Sequence, residues 1–104
     1  MIKIKLQKDG NIIKKIIITG HANYAEYGKD IVCSAVSATV LTTVNGIIAL
    51  DNSILEVVYE QDKMIIDIKK EDKTSEILID NMINCLKELA IEYPKNIKIE
   101  IEGG

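Results

Sequence analysis

Residues 1–19 read MIKIKLQKDGNIIKKIIIT and contain two runs of β-forming residues on either side of a turn sequence. Within residues 2–6 the apolar side chains occupy the even positions, a period of two that is typical of a strand with one buried and one solvated face. Residues 8–11, Lys-Asp-Gly-Asn, are turn formers, and residues 12–19 are rich in β-branched isoleucine. This stretch therefore predicts a β-hairpin.

Two helical patterns and three further strands follow the hairpin. Residues 32–50 carry small and apolar side chains on nearly every side, and they predict a buried helix because the run is too long for a strand. Residues 54–59 and 64–69 flank a Gln-Asp-Lys turn and predict a second hairpin. Residues 75–93 have apolar side chains at helical spacing, and residues 97–101 return to a period of two.

The predicted order β-β-α-β-β-α-β indicates an α+β fold. Because each strand has one apolar face, we expect a two-layer sandwich in which two helices cover one face of a mainly antiparallel sheet. The chain of 104 residues contains no repeat and no low-complexity stretch, so residues 1–104 are expected to form a single domain.

Charge and hydropathy exclude several classes of protein. All thirteen basic residues are lysine and the net charge is -3, so the guanidinium fork that reads phosphates and bases is absent and no direct nucleic acid partner is expected. No run of about 18 apolar residues is present, and the N-terminus alternates apolar and charged residues unlike a signal peptide. We therefore expect a cytoplasmic protein with no membrane partner. Its mildly acidic surface suits a basic partner.

The cysteine and histidine content bears on metal binding. Two cysteines, Cys33 and Cys85, are expected to remain thiols in a reducing compartment. Cys85, beside Leu86 in the second helical pattern, is expected to be a core residue. One histidine and two distant cysteines cannot form a structural zinc site, so no metal or cofactor is expected.

Residues 20–31 lack periodicity and predict a loop. A connection of this length exceeds the usual 4–6 residues or so, and long connections are often functional. It begins with Gly20 and His21, the latter being the only histidine. Tyr24 and Tyr27 either form an aromatic wall for a substrate or anchor the loop by packing, and both interpretations stay open.

Cys33 and His21 have the residue types of a thiol protease. Cys33 falls in the predicted first turn of a helix, where unpaired N–H groups and the positive end of the dipole favour thiolate over thiol. Asp30 occupies the N-cap position and either caps the helix or orients His21. Ser37, one turn after Cys33, either lines a substrate cleft or packs as an ordinary helix residue. By residue type alone, Cys33 could also be a small core residue and His21 a strand-end cap.

The run GHANYAEYGKDIVCSAVS, residues 20–37, resembles the ribosomal-processing cysteine protease family called Prp. The specificity of this resemblance resides in the GHA and DIVC segments, while length and element order extend it over essentially the whole chain. It implies a bacterial, homodimeric peptidase whose substrate is a ribosomal protein N-terminal peptide. The enzyme would remove a short N-terminal extension from the twenty-seventh protein of the large ribosomal subunit, cutting after an aromatic residue.

The resemblance also implies roles for individual residues. His21 would be the general acid/base and Cys33 the nucleophile, with supporting roles for Gly20, Asp30 and Ser37. In such a mechanism, amides near Cys33 and Ser34 would hold the oxyanion, and neither metal nor cofactor is needed. The alternatives are a non-catalytic ribosome-assembly module that binds the same basic protein through residues 20–31, and a redox-sensing thiol protein.

Overall fold

The computed structural model describes residues 1–20 and 31–103, which contain five strands and two helices. Their order confirms the predicted β-β-α-β-β-α-β sequence and the α+β class. The elements are β1 (Ile2–Asp9), β2 (Ile12–Thr19), α1 (Ile31–Leu50), β3 (Leu55–Glu60), β4 (Lys63–Ile68), α2 (Lys73–Glu92) and β5 (Ile97–Gly103).

The five strands form one sheet in the order β3-β4-β2-β1-β5. Three neighbouring pairs are antiparallel, as expected, while β1 and β5 run parallel. The direction of β5 depends on α2, which carries the chain from the end of β4 back along the sheet. Such a crossover is needed before a chain can add a strand in the same direction. The sheet is therefore mixed but mainly antiparallel.

The core lies between one face of the sheet and the two helices. The even positions of residues 2–6 point inward, as the alternation predicts, and Ile4 is completely buried. The helices contribute a stripe of buried residues each. These are Val36, Val40, Val44 and Ile47 from α1, and Ser75, Ile79, Met82, Ile83 and Leu86 from α2.

α2 begins two residues before its predicted start because Asp72 is its N-cap. The Asp72 carboxylate accepts hydrogen bonds from the Ser75 backbone N–H, at 2.9 Å, and from the Ser75 hydroxyl, at 2.8 Å. Both bonds favour the ionised carboxylate and lower the pKa of Asp72. The apolar spacing alone missed this start, since the capping turn itself is polar.

The prediction of a buried helix for residues 32–50 is wrong for half of its surface. α1 buries one stripe, while Leu41, Ile48 and Leu50 on its remaining surface are 37%, 38% and 64% exposed. The reason is geometric: in a two-layer fold a helix has one sheet to pack against. By length and composition α1 could cross a membrane, but its buried stripe lies in the core.

A polar cluster joins the end of α1 to the end of β4. The Lys70 ammonium lies 2.9 Å from Asp51 Oδ2, and Asp51 Oδ1 accepts hydrogen bonds from the Ser53 N–H, at 2.9 Å, and hydroxyl, at 2.6 Å. The Ser53 and Lys70 contacts hold the pKa of Asp51 far below its ordinary value. The cluster orders the short connection through which the chain leaves α1 and enters β3.

Two isoleucines of α2 allow a matched test of this packing. Ile83 is 5% exposed and Ile91 is 80% exposed. We expect Ile83→Ala to lower the free energy of unfolding by about 2–5 kcal/mol, because it removes buried surface and leaves a cavity. Ile91→Ala should change it by about 0.5 kcal/mol or less. Urea denaturation measures both values, and equal effects would contradict the described core.

Candidate active site

The topology brings the end of β2 and the start of α1 to the same end of the sheet. α1 is followed by β3, whose first residue pairs with the last residue of β4. A helix of 20 residues is about 30 Å long, so it runs back along the sheet to the opposite end. There β4 begins and β2 ends. The chain therefore leaves β2 and enters α1 at one end of the molecule.

Cys33 is the third residue of α1, where the sequence predicts it. Its side chain is half-buried and packs against the core together with Val32. The first turn of α1 contains no acidic residue, and the first N–H groups of any helix have no partner within the helix. The thiol thus lies near the positive end of the α1 dipole.

Gly20 is anchored immediately before His21. Its φ is +84°, a left-handed conformation, and a Cβ here would collide with the carbonyl oxygen of Met1. Its N–H donates a hydrogen bond to the carbonyl oxygen of Asp62, at 3.3 Å. Only glycine fits without strain, so the first residue of the GHA segment sets the direction in which the chain leaves the sheet.

Three of the predicted site residues lie together at the start of α1. Ser34 is exposed, Ser37 is half-buried, and both flank Cys33 on the helix. Of the other predicted site residues, Gly20 is the one described above, and His21, Tyr24, Tyr27 and Asp30 lie outside the described residues.

Two exposed apolar side chains at this end were not singled out from the sequence. Ile31, in the first turn of α1, and Tyr59, near the end of β3, are each 67% exposed. Tyr59 is paired with the buried Met64, so it lies on the helix-covered side of the sheet. The alternation of β3 places Tyr59 on that side, but its exposure depends on how far the helices reach across the edge strand.

Cys85 is half-buried on α2 and is not among the residues that pack against the core, so its prediction as a core residue is wrong. The buried stripe of α2 passes through its neighbours Met82 and Leu86 instead. Neither Cys33 nor Cys85 forms a disulfide. Within residues 1–20 and 31–103, no three His, Cys, Asp or Glu side chains cluster as metal ligands.

The position of Cys33 at the start of α1 agrees with the resemblance to a family of cysteine proteases seen in the sequence. The model of the cysteine protease Prp family matches residues 1–98. This chain belongs to the Prp family of cysteine proteases. It is accordingly a peptide hydrolase, which confirms the prediction of a cysteine protease.

Curated relatives and solved structures agree with this assignment. The chain is 30% identical to the ribosomal processing cysteine protease Prp of Staphylococcus aureus over 94 residues, covering 88% of this chain and 89% of the relative. It is 32% identical to Prp of Bacillus subtilis over 90 residues, covering 79% and 80% of the two chains.

Crystal structures of S. aureus Prp confirm the fold. The complex with a substrate peptide has a TM-score of 0.87 at 26% identity, covering 98% of this chain and 100% of that one. The same protease with a covalently linked product peptide also has a TM-score of 0.87, at 27% identity and the same coverage. The predicted α+β sandwich is therefore the fold of Prp.

The two cysteines offer a matched test of thiol reactivity. Both are half-buried, but Cys33 lies in the first turn of α1 and Cys85 lies in the middle of α2. We expect iodoacetamide at neutral pH to modify Cys33 at least about tenfold faster, because the helix start increases the thiolate fraction. Mass spectrometry of the digested protein over time measures both rates. Equal rates, unchanged by His21→Ala, would contradict this expectation.

Proposed function

We propose that this protein is an endopeptidase of the bacterial cytosol that removes the short N-terminal extension of the twenty-seventh protein of the large ribosomal subunit. The observation that supports this most directly is the position of Cys33 in the first turn of α1, in a member of the Prp family. The curated relatives are named as ribosomal processing proteases, which supports a ribosomal protein N-terminal peptide as the substrate.

In the proposed mechanism Cys33 and His21 act as a dyad. The Cys33 thiolate attacks the scissile carbonyl carbon, so a C–S bond forms and the carbonyl oxygen becomes negative. Backbone N–H groups near Cys33 and Ser34 stabilise this oxyanion. The His21 imidazolium then donates its proton to the leaving amine as the C–N bond breaks, leaving a thioester.

Hydrolysis of the thioester completes the cycle. His21, now neutral, takes a proton from water, the resulting hydroxide attacks the thioester carbon, and Cys33 leaves as the thiolate. Every proton passes through His21, so no cofactor takes part. Asp30 serves this cycle either by orienting His21 or by capping α1, and Ser37 lies one turn from the thiolate on the same helix.

The anchored Gly20 supports the assignment of His21. Because Gly20 is held by Asp62 and closely approached by Met1, the backbone that carries His21 starts from a fixed point on the sheet. We propose that Tyr24 and Tyr27, together with the exposed Ile31, offer apolar surface to a substrate cut after an aromatic residue; the alternative role of the two tyrosines is to anchor their segment by packing.

Cleavage of a precursor peptide tests the catalytic assignment. We expect Cys33→Ala, Cys33→Ser and His21→Ala each to lower kcat/KM by about a thousandfold or more, because the residues of a nucleophile–base pair act as a unit. Cys85→Ala is the matched control and should retain wild-type activity. Mass spectrometry of the peptide locates the cut.

The outcome for the Cys33 variants distinguishes the alternatives. Unchanged processing by Cys33→Ala would refute this cysteine as the nucleophile. Binding of the precursor without any cleavage, by wild-type protein and variants alike, would favour the non-catalytic assembly module. If the protein cleaves no peptide but its sensitivity to oxidants depends on Cys33, the redox sensor would be favoured.

We also propose that the protein acts as a homodimer through the exposed face of α1. This helix contains no charged residue along its 20 positions. Its surface outside the buried stripe, which includes Ser34, Leu41 and Ile48, is therefore exposed but uncharged. A second copy would present the same uncharged face, and such a two-fold contact is self-complementary. Burial of this face would also remove exposed leucine and isoleucine from water.

Two isoleucines provide a matched test of the dimer. Ile48 of α1 is 38% exposed and Ile91 of α2 is 80% exposed. We expect Ile48→Lys to shift the protein from dimer to monomer, because a buried unpaired charge is costly, while Ile91→Lys leaves the dimer intact. Light scattering with size-exclusion chromatography measures the mass, and thermal melting shows that both variants fold. A dimer unaffected by Ile48→Lys would place the interface elsewhere.

A further inference from the structure

The face of the sheet opposite the helices contains ion pairs between neighbouring strands. Lys15 on β2 lies 3.5 Å from Asp67 on β4, and Lys5 on β1 lies 3.5 Å from Glu102 on β5. Opposite charges on neighbouring strands stabilise a sheet modestly. This pattern is what a solvated sheet face requires for folding and solubility.

One row across the same face departs from that pattern. It runs from Lys63 on β4 through Thr19 on β2 and Lys3 on β1 to Lys98 on β5. Lys3 and Lys98 are paired in register, and like charges placed opposite each other are unfavourable. Neither Lys3 nor Lys63 forms an ion pair with another described residue, although Glu60 is the register partner of Lys63.

The row borders a depression in the sheet surface of about 420 Å³. That volume lies within the range of small-molecule sites. Three of its six lining residues are lysine and only one is acidic. The lining consists of Lys3, Lys5, Ile17, Thr19, Lys63 and Glu100.

We propose that this depression binds a small phosphorylated ligand of nucleotide size. Lysine binds phosphate as a point charge, and Lys3 and Lys63 approach the depression from strands on either side of β2. Those two strands are about 10 Å apart, so a ligand with more than one phosphate can span the distance between the strands that carry the two lysines. The Thr19 hydroxyl adds a hydrogen-bond donor.

The remaining lining residues suit the rest of a nucleotide. Ile17 is half-buried and offers an apolar floor against which a flat ring can pack. Glu100, the register partner of Lys5 in β5, supplies a carboxylate that can accept a hydrogen bond from an amino or hydroxyl group. Phosphate, ring and hydroxyl therefore each have a partner in the same depression.

The proposed site is separate from the catalytic side of the protein. Cys33 lies on the helix-covered face, whereas the lysine row lies on the opposite face. Thr19 nevertheless directly precedes Gly20, so a bound ligand would contact the strand from which the His21 segment departs. The inference does not depend on the identity of the protease substrate.

Isothermal titration of the full chain with ADP, pyrophosphate and AMP tests the proposal, at constant ionic strength held with sodium chloride. We expect saturable binding at one site, with nitrogen–proton correlation spectra showing the largest shifts at Ile17 and Thr19. Lys3→Gln and Lys63→Gln should each weaken ADP binding by about tenfold or more, because each removes a charge-assisted contact. Lys15→Gln, which removes a paired lysine of the same face, should leave it unchanged within about twofold.

Three outcomes would overturn the proposal. ADP binding no tighter than that of sulfate would show general attraction of anions. Equal losses in Lys63→Gln and Lys15→Gln would show that no particular lysine matters. Affinity for oligouridylate that rises with chain length and exceeds that for ADP would indicate an RNA surface instead. Thermal melting checks the fold, and Lys3→Gln should melt no lower than wild type since it relieves repulsion from Lys98.

Discussion

The structure depends on covering one apolar face of a five-stranded sheet. Ile4, Ile16 and Ile18 are wholly buried on that face and are protected from water only where helices lie over them. A helix that covers the sheet must run along it, so α1 extends over about 30 Å from one end to the other. The first turn of α1 consequently lies at the end where β2 stops. The position of Cys33 follows from the packing of the core.

This end of the molecule combines fixed backbone features with the Cys33 thiol. Gly20 adopts a left-handed conformation that holds the departing chain against β1 and the turn between β3 and β4. α1 contributes the positive end of its dipole and N–H groups without helical partners. These features are part of the fold itself, so the packing of the core fixes the helix start at which the Cys33 thiol lies.

The surfaces that the core does not use differ from one another in character. The exposed face of α1 carries no charge, and the open face of the sheet combines ion pairs between neighbouring strands with a row of lysines. Folding alone requires neither feature, because a solvated helix face is usually polar and like charges in register are unfavourable. Such departures from the usual pattern are typical of interaction surfaces, which is why each of these two surfaces carries a separate proposal.

The sequence by itself determined the order of the elements, the inward positions of the strands and the location of Cys33 in a helix start. These follow from local rules, since strand alternation and helical spacing are properties of neighbouring residues. The GHA and DIVC segments also identified the family, because a motif consists of residue types at fixed spacing and can be recognised without coordinates. The start of α2 was placed two residues late, because its Asp72 cap is a polar signal outside the apolar pattern.

Only the tertiary structure decided which apolar residues are covered. The composition of α1 predicted burial on all sides, yet one sheet can cover one stripe of a helix. Cys85 likewise lies beside the buried stripe of α2 rather than in it, and Tyr59 is exposed because it lies on an edge strand. Strand order also depends on contacts between distant segments, so the lysine row across β4, β2, β1 and β5 has no counterpart in the linear sequence. Local spacing determines which way a side chain faces, but burial and neighbourhood depend on what the rest of the chain places opposite it.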